Sequence, residues 1–199
     1  MNIFMTGGTG FIGQHLVKRL SAEGHRITIL TRSAVDAKQV AEHVSLIEGN
    51  PAFPGHWQKA VAGHEIVVNL AGASIFRRWT LETKRILRES RILTTRNLVD
   101  AMAGAGSGIQ VFFSTSAVGY YGFHGNEELT EASAPGGDFL AILARDWEEE
   151  ALRARDLGMR VIISRFGIVL GRDGGAMTKI APIFRWFLGG PLGGGRQWM

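Results

Sequence analysis

Apolar positions along this chain switch repeatedly between two spacings, short unbroken runs and stripes that recur every three or four residues. Residues 2–5 (NIFM), 26–31 (RITILT), 44–47 (VSLI), 65–70 (EIVVNL), 109–114 (IQVFFS) and 160–166 (RVIISRF) are runs of strand length. Between them lie helical patterns. Residues 11–23 carry Ile12, Leu16, Val17 and Leu20 on one side and are closed by Gly24. Residues 34–43 read as a helix, and a loop with Pro51 and Pro54 leads to a brief helix near Trp57. Residues 80–103 form a long helix, and residues 139–157 another that ends at Gly158. Strand, helix and strand repeated in this way require parallel strands joined by crossover helices. The fold class is therefore α/β, a doubly wound parallel sheet.

The junction of the first strand and first helix reads MTGGTGFIGQ (residues 5–14). A glycine-rich turn at that point is where an open α/β sheet binds phosphate. Gly7 permits the tight turn, Gly10 lets backbone N–H groups approach a pyrophosphate, and Gly13 lets the helix pack closely on the strand. Free N–H groups and the positive end of the helix dipole then hold the anion. This predicts a Rossmann-type dinucleotide site with contacts from Gly7, Thr9, Gly10, Phe11 and Ile12. The end of the second strand reads which dinucleotide. NAD binders place an acid there for the ribose hydroxyls, but this chain has Thr31-Arg32-Ser33 and no carboxylate before Asp36. A carboxylate would repel a 2′-phosphate, whereas the planar fork of Arg32 pairs with one, so the expected cofactor is NADP (NADPH) rather than NAD.

Composition narrows the class further. The 199 residues suffice for one domain with a layered core, and 45% hydrophobic with 20% charged residues is the balance of an ordinary globule. No apolar run approaches a membrane span and no leader is read at the start, so no membrane association is expected. With no cysteine there is neither a disulfide nor a thiolate metal site, which fits a cytoplasmic protein. The six histidines have no ligand spacing, and no metal is expected. The net charge of +4 is not gathered into blocks, so no nucleic acid partner is expected. Glycine, at 27 residues, is about twice its usual share, and much of the excess lies at the two ends. The tail beyond Gly171 mixes glycine with aromatic and basic residues and ends on RQWM; it reads as a chain that stops before its fold does. Residues 1–166 are expected to form the NAD(P)-binding domain and residues 167–199 an incomplete substrate-binding lobe.

The TGxxGxxG pattern resembles the short-chain dehydrogenase/reductase superfamily, extended type. Asn69-Leu70-Ala71-Gly72 resembles its loop past the adenosine, and Phe113-Ser114-Thr115-Ser116-Ala117 its fifth strand. Arg165-Phe166-Gly167-Ile168-Val169-Leu170 resembles the segment that flanks the nicotinamide. A finer resemblance is to an atypical group of NAD-dependent or sugar-nucleotide epimerases. It is carried by Arg78-Trp79-Thr80, Ser90-Arg91, Thr94-Thr95, Gly119-Tyr120-Tyr121-Gly122, Gly136-Gly137-Asp138-Phe139, Trp147-Glu148, Gly171-Arg172-Asp173-Gly174-Gly175-Ala176-Met177 and Gly189-Gly190-Pro191-Leu192-Gly193 with Gly195-Arg196-Gln197. The resemblance implies that Leu70, Ala71, Gly72, Ser114 and Val169 join the cofactor site and that Ser116 assists catalysis. It also implies a small-molecule substrate, a nucleotide sugar among the choices, and a homodimer paired through the two long helices.

One departure matters. The superfamily starts the helix after strand five with Tyr-x-x-x-Lys, whose ammonium lets the tyrosine shuttle a proton. Here Phe139 and Leu143 hold those positions. Tyr120 and Tyr121, the only tyrosines, follow strand five at the carboxyl edge; one can serve as the acid with Ser116 beside it, or both can be packing residues of a turn. Arg91 shares the stripe of Leu87, Leu98 and Met102, and either snorkels to the rim or contacts a phosphate or carboxamide of the cofactor. Arg77 and Arg78 are further candidates at that edge, and Lys179, Arg185 and Arg196 either bind a sugar-nucleotide diphosphate or are surface charge. Glu127, Glu128 and Glu131 read as a solvated turn. Two functions fit: an NADP(H)-dependent oxidoreductase or epimerase-like enzyme, or a non-catalytic NADP(H)-binding sensor or scaffold.

Overall fold

The computed structural model describes residues 1–33, 42–172, 174–190 and 195. The chain divides into two compact units, Met1–Arg165 and Phe166–Met199. In the first, β1 (Asn2–Thr6), β2 (Arg26–Thr31), β3 (Val44–Glu48), β4 (Ile66–Asn69), β5 (Val111–Ala117) and β6 (Arg160–Phe166) form one sheet in the order β3-β2-β1-β4-β5-β6. The pairs β1–β2, β1–β4, β2–β3 and β4–β5 are parallel. Helices α1 (Phe11–Ala22), α2 (Leu81–Gly104) and α3 (Phe139–Leu152) make the crossovers.

The central strands are apolar on both faces because both are covered. Ile3, Met5, Ile27, Ile29 and Val68 pack with Val17 of α1 on one face. Phe4, Val67 and Phe112 point the other way, into a cluster with Trp57, Leu98, Met102 and Ala151. Trp57 sits on a short 3-10 turn, His56–Val61, the brief helix expected there.

Two boundaries differ from the periodicity. The fifth strand begins at Val111 and runs to Ala117, past the expected end at Ser114. The run of apolar residues stops at Phe113, but Ser114, Thr115 and Ser116 are buried as well, and the hydroxyls of Thr115 and Ser116 find partners on β4 and α3, in keeping with the resemblance of residues 113–117 to a fifth strand. The helix expected over residues 139–157 is α-helical only to Leu152. Arg153–Leu157 tighten into a 3-10 turn that delivers the chain to Gly158 in the left-handed conformation. Of the helix expected over residues 34–43, residues 34–41 lie outside the described ones, while Glu42 and His43 are in a turn leading into β3.

The second unit contains β7 (Leu170–Gly171) paired antiparallel with β8 (Gly174–Gly175), then α4 (Met177–Arg185). Among the described residues no helix is long and apolar enough to cross a membrane.

Candidate functional site

The strand order turns back between β1 and β4, so the loops leaving these strands diverge and open a crevice at their carboxyl ends. A buried chain of hydrogen bonds fixes its floor. Thr6 Oγ1 donates to Asn69 Oδ1 at 2.7 Å, and Asn69 Nδ2 donates to Thr95 Oγ1 at 2.9 Å. Trp147 Nε1 donates to the same Thr95 hydroxyl at 2.8 Å, and Thr115 Oγ1 to the Asn69 carbonyl at 3.0 Å. Five elements are thereby tied together with their polar groups satisfied.

The glycine turn lies against the loop after β4. Gly7 has φ +71°, and a Cβ there would sit 2.6 Å from the Leu70 carbonyl carbon and 2.8 Å from the Ala71 nitrogen, so only glycine fits. A Cβ on Gly13 would come within 2.2 Å of the Gly7 carbonyl oxygen and 2.7 Å of Gly8 Cα. The close approach expected of Gly13 is therefore made to the backbone of the turn, not to β1. Gly8, not singled out in sequence, is held less tightly: a Cβ would sit 2.9 Å from Cγ2 of the Ile29 side chain rather than against backbone.

Helix α1 begins differently from the other long helices. Thr80 Oγ1 caps α2 by accepting from the Thr83 amide, and Asp138 Oδ1 caps α3 by accepting from Leu140 and Ala141. Gly10 heads α1 with no side-chain cap and no acid in the first turn. The leading N–H groups, next to exposed Thr9 and half-buried Phe11 and Ile12, are left for an outside acceptor at the positive end of the dipole. At the end of β2, Thr31 Oγ1 donates to the Ser33 carbonyl at 3.1 Å, which closes a small turn. Arg32 is exposed and has no ion pair among the described residues; Asp36 lies outside them.

On β5 the candidate serines turn inward. Ser114 is 1% and Ser116 3% exposed. Ser116 donates its hydroxyl proton to Glu148 Oε1 of α3. Glu148 in turn receives Arg165 of β6 in a bidentate pair, Nε to Oε1 and Nη2 to Oε2, each at 2.8 Å. Arg165 Nη1 donates to the Tyr121 hydroxyl at 2.8 Å and to the Glu131 carbonyl at 3.3 Å. Its guanidinium lies 3.5 Å from the Tyr120 ring centroid. The Glu148 carboxylate beside it holds the Arg165 guanidinium above its ordinary value. The structure thus gathers Ser116, Tyr120 and Tyr121 around an ion pair that the sequence reading did not single out. A signal was present: Glu148 falls on the buried stripe Ala141, Ala144 and Ala151, where a carboxylate demands a cation.

Arg91 of α2 stands behind the Leu70–Gly72 loop. Nη1 donates to the Leu87 carbonyl at 3.2 Å and Nη2 to the Ala73 carbonyl at 3.1 Å, with the guanidinium 5.3 Å from the Trp147 ring centroid. Burial pushes its pKa down to about 10. Arg77 and Arg78 are exposed in the segment leading into α2. Phe139 packs edge-on against Trp79 with Lys84 over its ring, and Leu143 is 3% exposed in a cluster with Leu87, Ile92 and Trp147. In the acidic loop Glu127 is not simply solvated but pairs with His124 at 2.7 Å. Within the second unit, the Val169 carbonyl accepts from the Ala176 amide at 3.0 Å, and Lys179 and Arg185 lie on α4. Arg196 lies outside the described residues.

This arrangement has close counterparts among known proteins. The chain is 42% identical over its whole length to the chloroplastic epimerase family protein SDR39U1 homolog of Arabidopsis thaliana, and spans 57% of it. It is 37% identical to the epimerase family protein YfhF of Bacillus subtilis, again over its whole length, and spans 65% of that relative. The chain thus covers less than two thirds of the curated relatives it matches. Among solved structures, the nucleoside-diphosphate sugar epimerase of Corynebacterium glutamicum is 32% identical with a TM-score of 0.81, covering 100% of this chain and 40% of its own. Human epimerase family protein SDR39U1 (isoform 2), solved with NADPH, is 31% identical with a TM-score of 0.78 over 99% of this chain and 64% of its own. The crevice, the glycine turn and these likenesses agree with a match to one family model across residues 3–191: the chain belongs to the NAD dependent epimerase/dehydratase family.

Proposed function

We propose that the carboxyl-edge crevice binds NADP(H) and serves an oxidoreductase or epimerase-like reaction on a carbonyl compound or a nucleotide sugar. The observation that carries this reading is the head of α1, uncapped and free of acid where α2 and α3 are capped, and set against the Gly7 turn. These residues fit a dinucleotide: unspent amides for its diphosphate and, at the end of β2, exposed Arg32 for a 2′-phosphate. The cofactor contacts we assign are Gly7, Thr9, Gly10, Phe11, Ile12, Thr31, Arg32, Leu70, Ala71 and Gly72, with Ser114 and Val169 by resemblance. Residues 1–166 form the cofactor domain and residues 167–199 belong to a substrate lobe. The NADPH in human SDR39U1 supports the nucleotide, and the Corynebacterium glutamicum epimerase supports the substrate class.

When bound, a nicotinamide supplies a hydride donor or acceptor. The chain supplies the proton. Tyr121 has its hydroxyl engaged by Arg165, while the Tyr120 hydroxyl has no hydrogen-bond partner among the described residues. Tyr120 is therefore the freer proton donor as arranged, and Ser116 acts through its bond to Glu148. The test is titration with NADPH and NADH. NADPH is expected to bind the more tightly, and tighter binding of NADH would overturn the role given to Arg32.

One observation favours a second reading. Helix α3 carries neither tyrosine nor lysine, and both Phe139 and Leu143 are committed to packing, which suits a protein that binds NADP(H) without turning it over. Such a protein would bind NADPH and show no substrate-dependent loss of its absorbance against a carbonyl library.

A further inference from the structure

The sheet has a second opening, at the end opposite the crevice. A parallel sheet covered on both faces carries apolar side chains on both, and Ile3, Ile27, Ile29, Val44 and Leu46 obey this on the α1 face. On the other face, the one that bears Phe4 and Leu30, the amino ends of three neighbouring strands depart from it. Asn2 of β1 lies beside Arg26 of β2, and Thr28 of β2 beside Ser45 of β3. Side chains alternate along a strand, so these four polar residues share that face. Together with His43 and His64 they line a cavity of about 470 Å³. Small-molecule sites run from roughly 300 to 1,000 Å³.

The wall of the cavity is fixed by its own contacts. His64 stands edge-on to Phe4, with ring centroids 5.5 Å apart. The Val61 carbonyl only accepts, so His64 Nδ1 donates to it at 3.2 Å, and Nε2 of the neutral ring accepts from the Thr28 hydroxyl at 2.8 Å. Thr28 Oγ1 lies 3.2 Å from Oγ of exposed Ser45, and Asn2 Nδ2 donates to the Gly63 carbonyl at 3.3 Å. What is left over is positive. Arg26 is exposed, and its guanidinium has no ion pair or hydrogen bond among the described residues. No carboxylate lines the cavity, and neighbouring Glu65 accepts from the Asn2 amide. The His43 ring is likewise without a partner among the described residues, and its backbone is in the left-handed region at φ +69°. The His43 carbonyl accepts from the Ile27 amide at 2.9 Å, which locks that conformation at the start of the β2–β3 ladder. Glycine would hold this turn with less strain; histidine adds a donor to the cavity, and strained residues of this kind gather at ligand sites.

We propose that this amino-end cavity binds the phosphate group of a small molecule, with the Arg26 fork, the His43 ring and the Ser45 hydroxyl as donors. The planar fork meets two phosphate oxygens at once, and the remaining volume takes the body of the molecule. The site goes beyond the proposed function and stands without it, because the nucleotide crevice lies at the carboxyl ends of the strands and shares none of these residues.

The test is heteronuclear NMR of the full chain titrated with sodium phosphate, free and in the presence of NADPH, against sodium chloride at matched ionic strength. Amide shifts of Thr28, Ser45 and Gly63 are expected to saturate with the same Kd in both states. R26Q should raise that Kd at least about tenfold. H43G should raise it as well and stay folded, since glycine suits the left-handed backbone. K59Q, which removes an exposed cation outside the cavity, should leave it unchanged. A chain that ignores NADPH yet saturates at these amides loses the proposed function and keeps this site. Phosphate shifts confined to residues 7–12 would assign the anion to the head of α1 and overturn the inference while leaving the proposed function intact. Shifts that chloride reproduces, that never saturate, or that K59Q weakens as much as R26Q would mean screening of surface charge and would overturn it too.

Discussion

Replacing Glu148 by glutamine should destabilise the first unit far more than an isosteric change usually does. Glutamine keeps the shape but removes the charge, and it turns one of the two oxygens facing Arg165 into an N–H donor that opposes Nε or Nη2. The pair is well enclosed, with side chains 17% and 8% exposed, and both contacts are 2.8 Å. Breaking a fully buried pair costs about 3–5 kcal/mol. Arg165 retains some water, the face of Tyr120 and the Tyr121 hydroxyl, which brings the expected cost to the lower end, about 3 kcal/mol. For a unit of this size that corresponds to a fall in Tm of roughly 6–12 °C. The assay is urea unfolding at constant pH, checked by a thermal scan, on E148Q, R165M and the double variant. Because each single change strands the other partner, the double variant should cost less than the sum of the singles by about 2 kcal/mol. A cost for E148Q within about 0.5 kcal/mol, or strict additivity, would refute the reasoning, for the pair would then behave as an exposed surface contact.

Three further outcomes are expected. R32A should weaken NADPH by about tenfold or more and leave NADH unchanged, as read by titration with each nucleotide, since only the 2′-phosphate meets that guanidinium. G13A should cost more than about 3 kcal/mol or displace the glycine turn and with it NADPH binding, because the added methyl lies 2.2 Å from the Gly7 oxygen; a variant with wild-type Tm and affinity would show that this approach is not rigid. His124 is held above its ordinary pKa, first by Glu127 and then by the Tyr121 carbonyl. A group raised on folding stabilises fully below its unfolded pKa and loses that contribution as pH rises through the folded value. Hydrogen exchange in residues 121–127, corrected for intrinsic rates, should therefore show protection falling as pH rises above about 6.5. H124Q should abolish that dependence, and a wild-type loop indifferent to pH would count against it.

The elements legible in the sequence are those whose signal is local. The runs at residues 26–31 and 160–166 coincide with β2 and β6, and Gly24 closes the first helix where capping rules place it. The glycine turn is legible for the same reason, since its spacing encodes a backbone shape within a few residues. The apolar run ended the fifth strand at Ser114, while the resemblance of residues 113–117 to a fifth strand carried it to Ala117, where hydroxyl partners on β4 and α3 hold Thr115 and Ser116. Arg91 was visible on an inward stripe, but nothing nearby in sequence told whether a carboxylate awaited it.

By itself the sequence determined the α/β class, the placement of the glycine-rich turn between β1 and α1 and the absence of an acid at the end of β2. All of these follow from periodicity and backbone constraints that act over one or two turns of chain. Tertiary structure alone decided the partners of the polar side chains. Ser116 meets Glu148 32 residues away, and Arg165 meets Tyr121 across 44. Such pairs form because a parallel sheet brings the carboxyl ends of distant strands to one edge, where a buried charge must find its counter-charge or wait for a ligand to supply it.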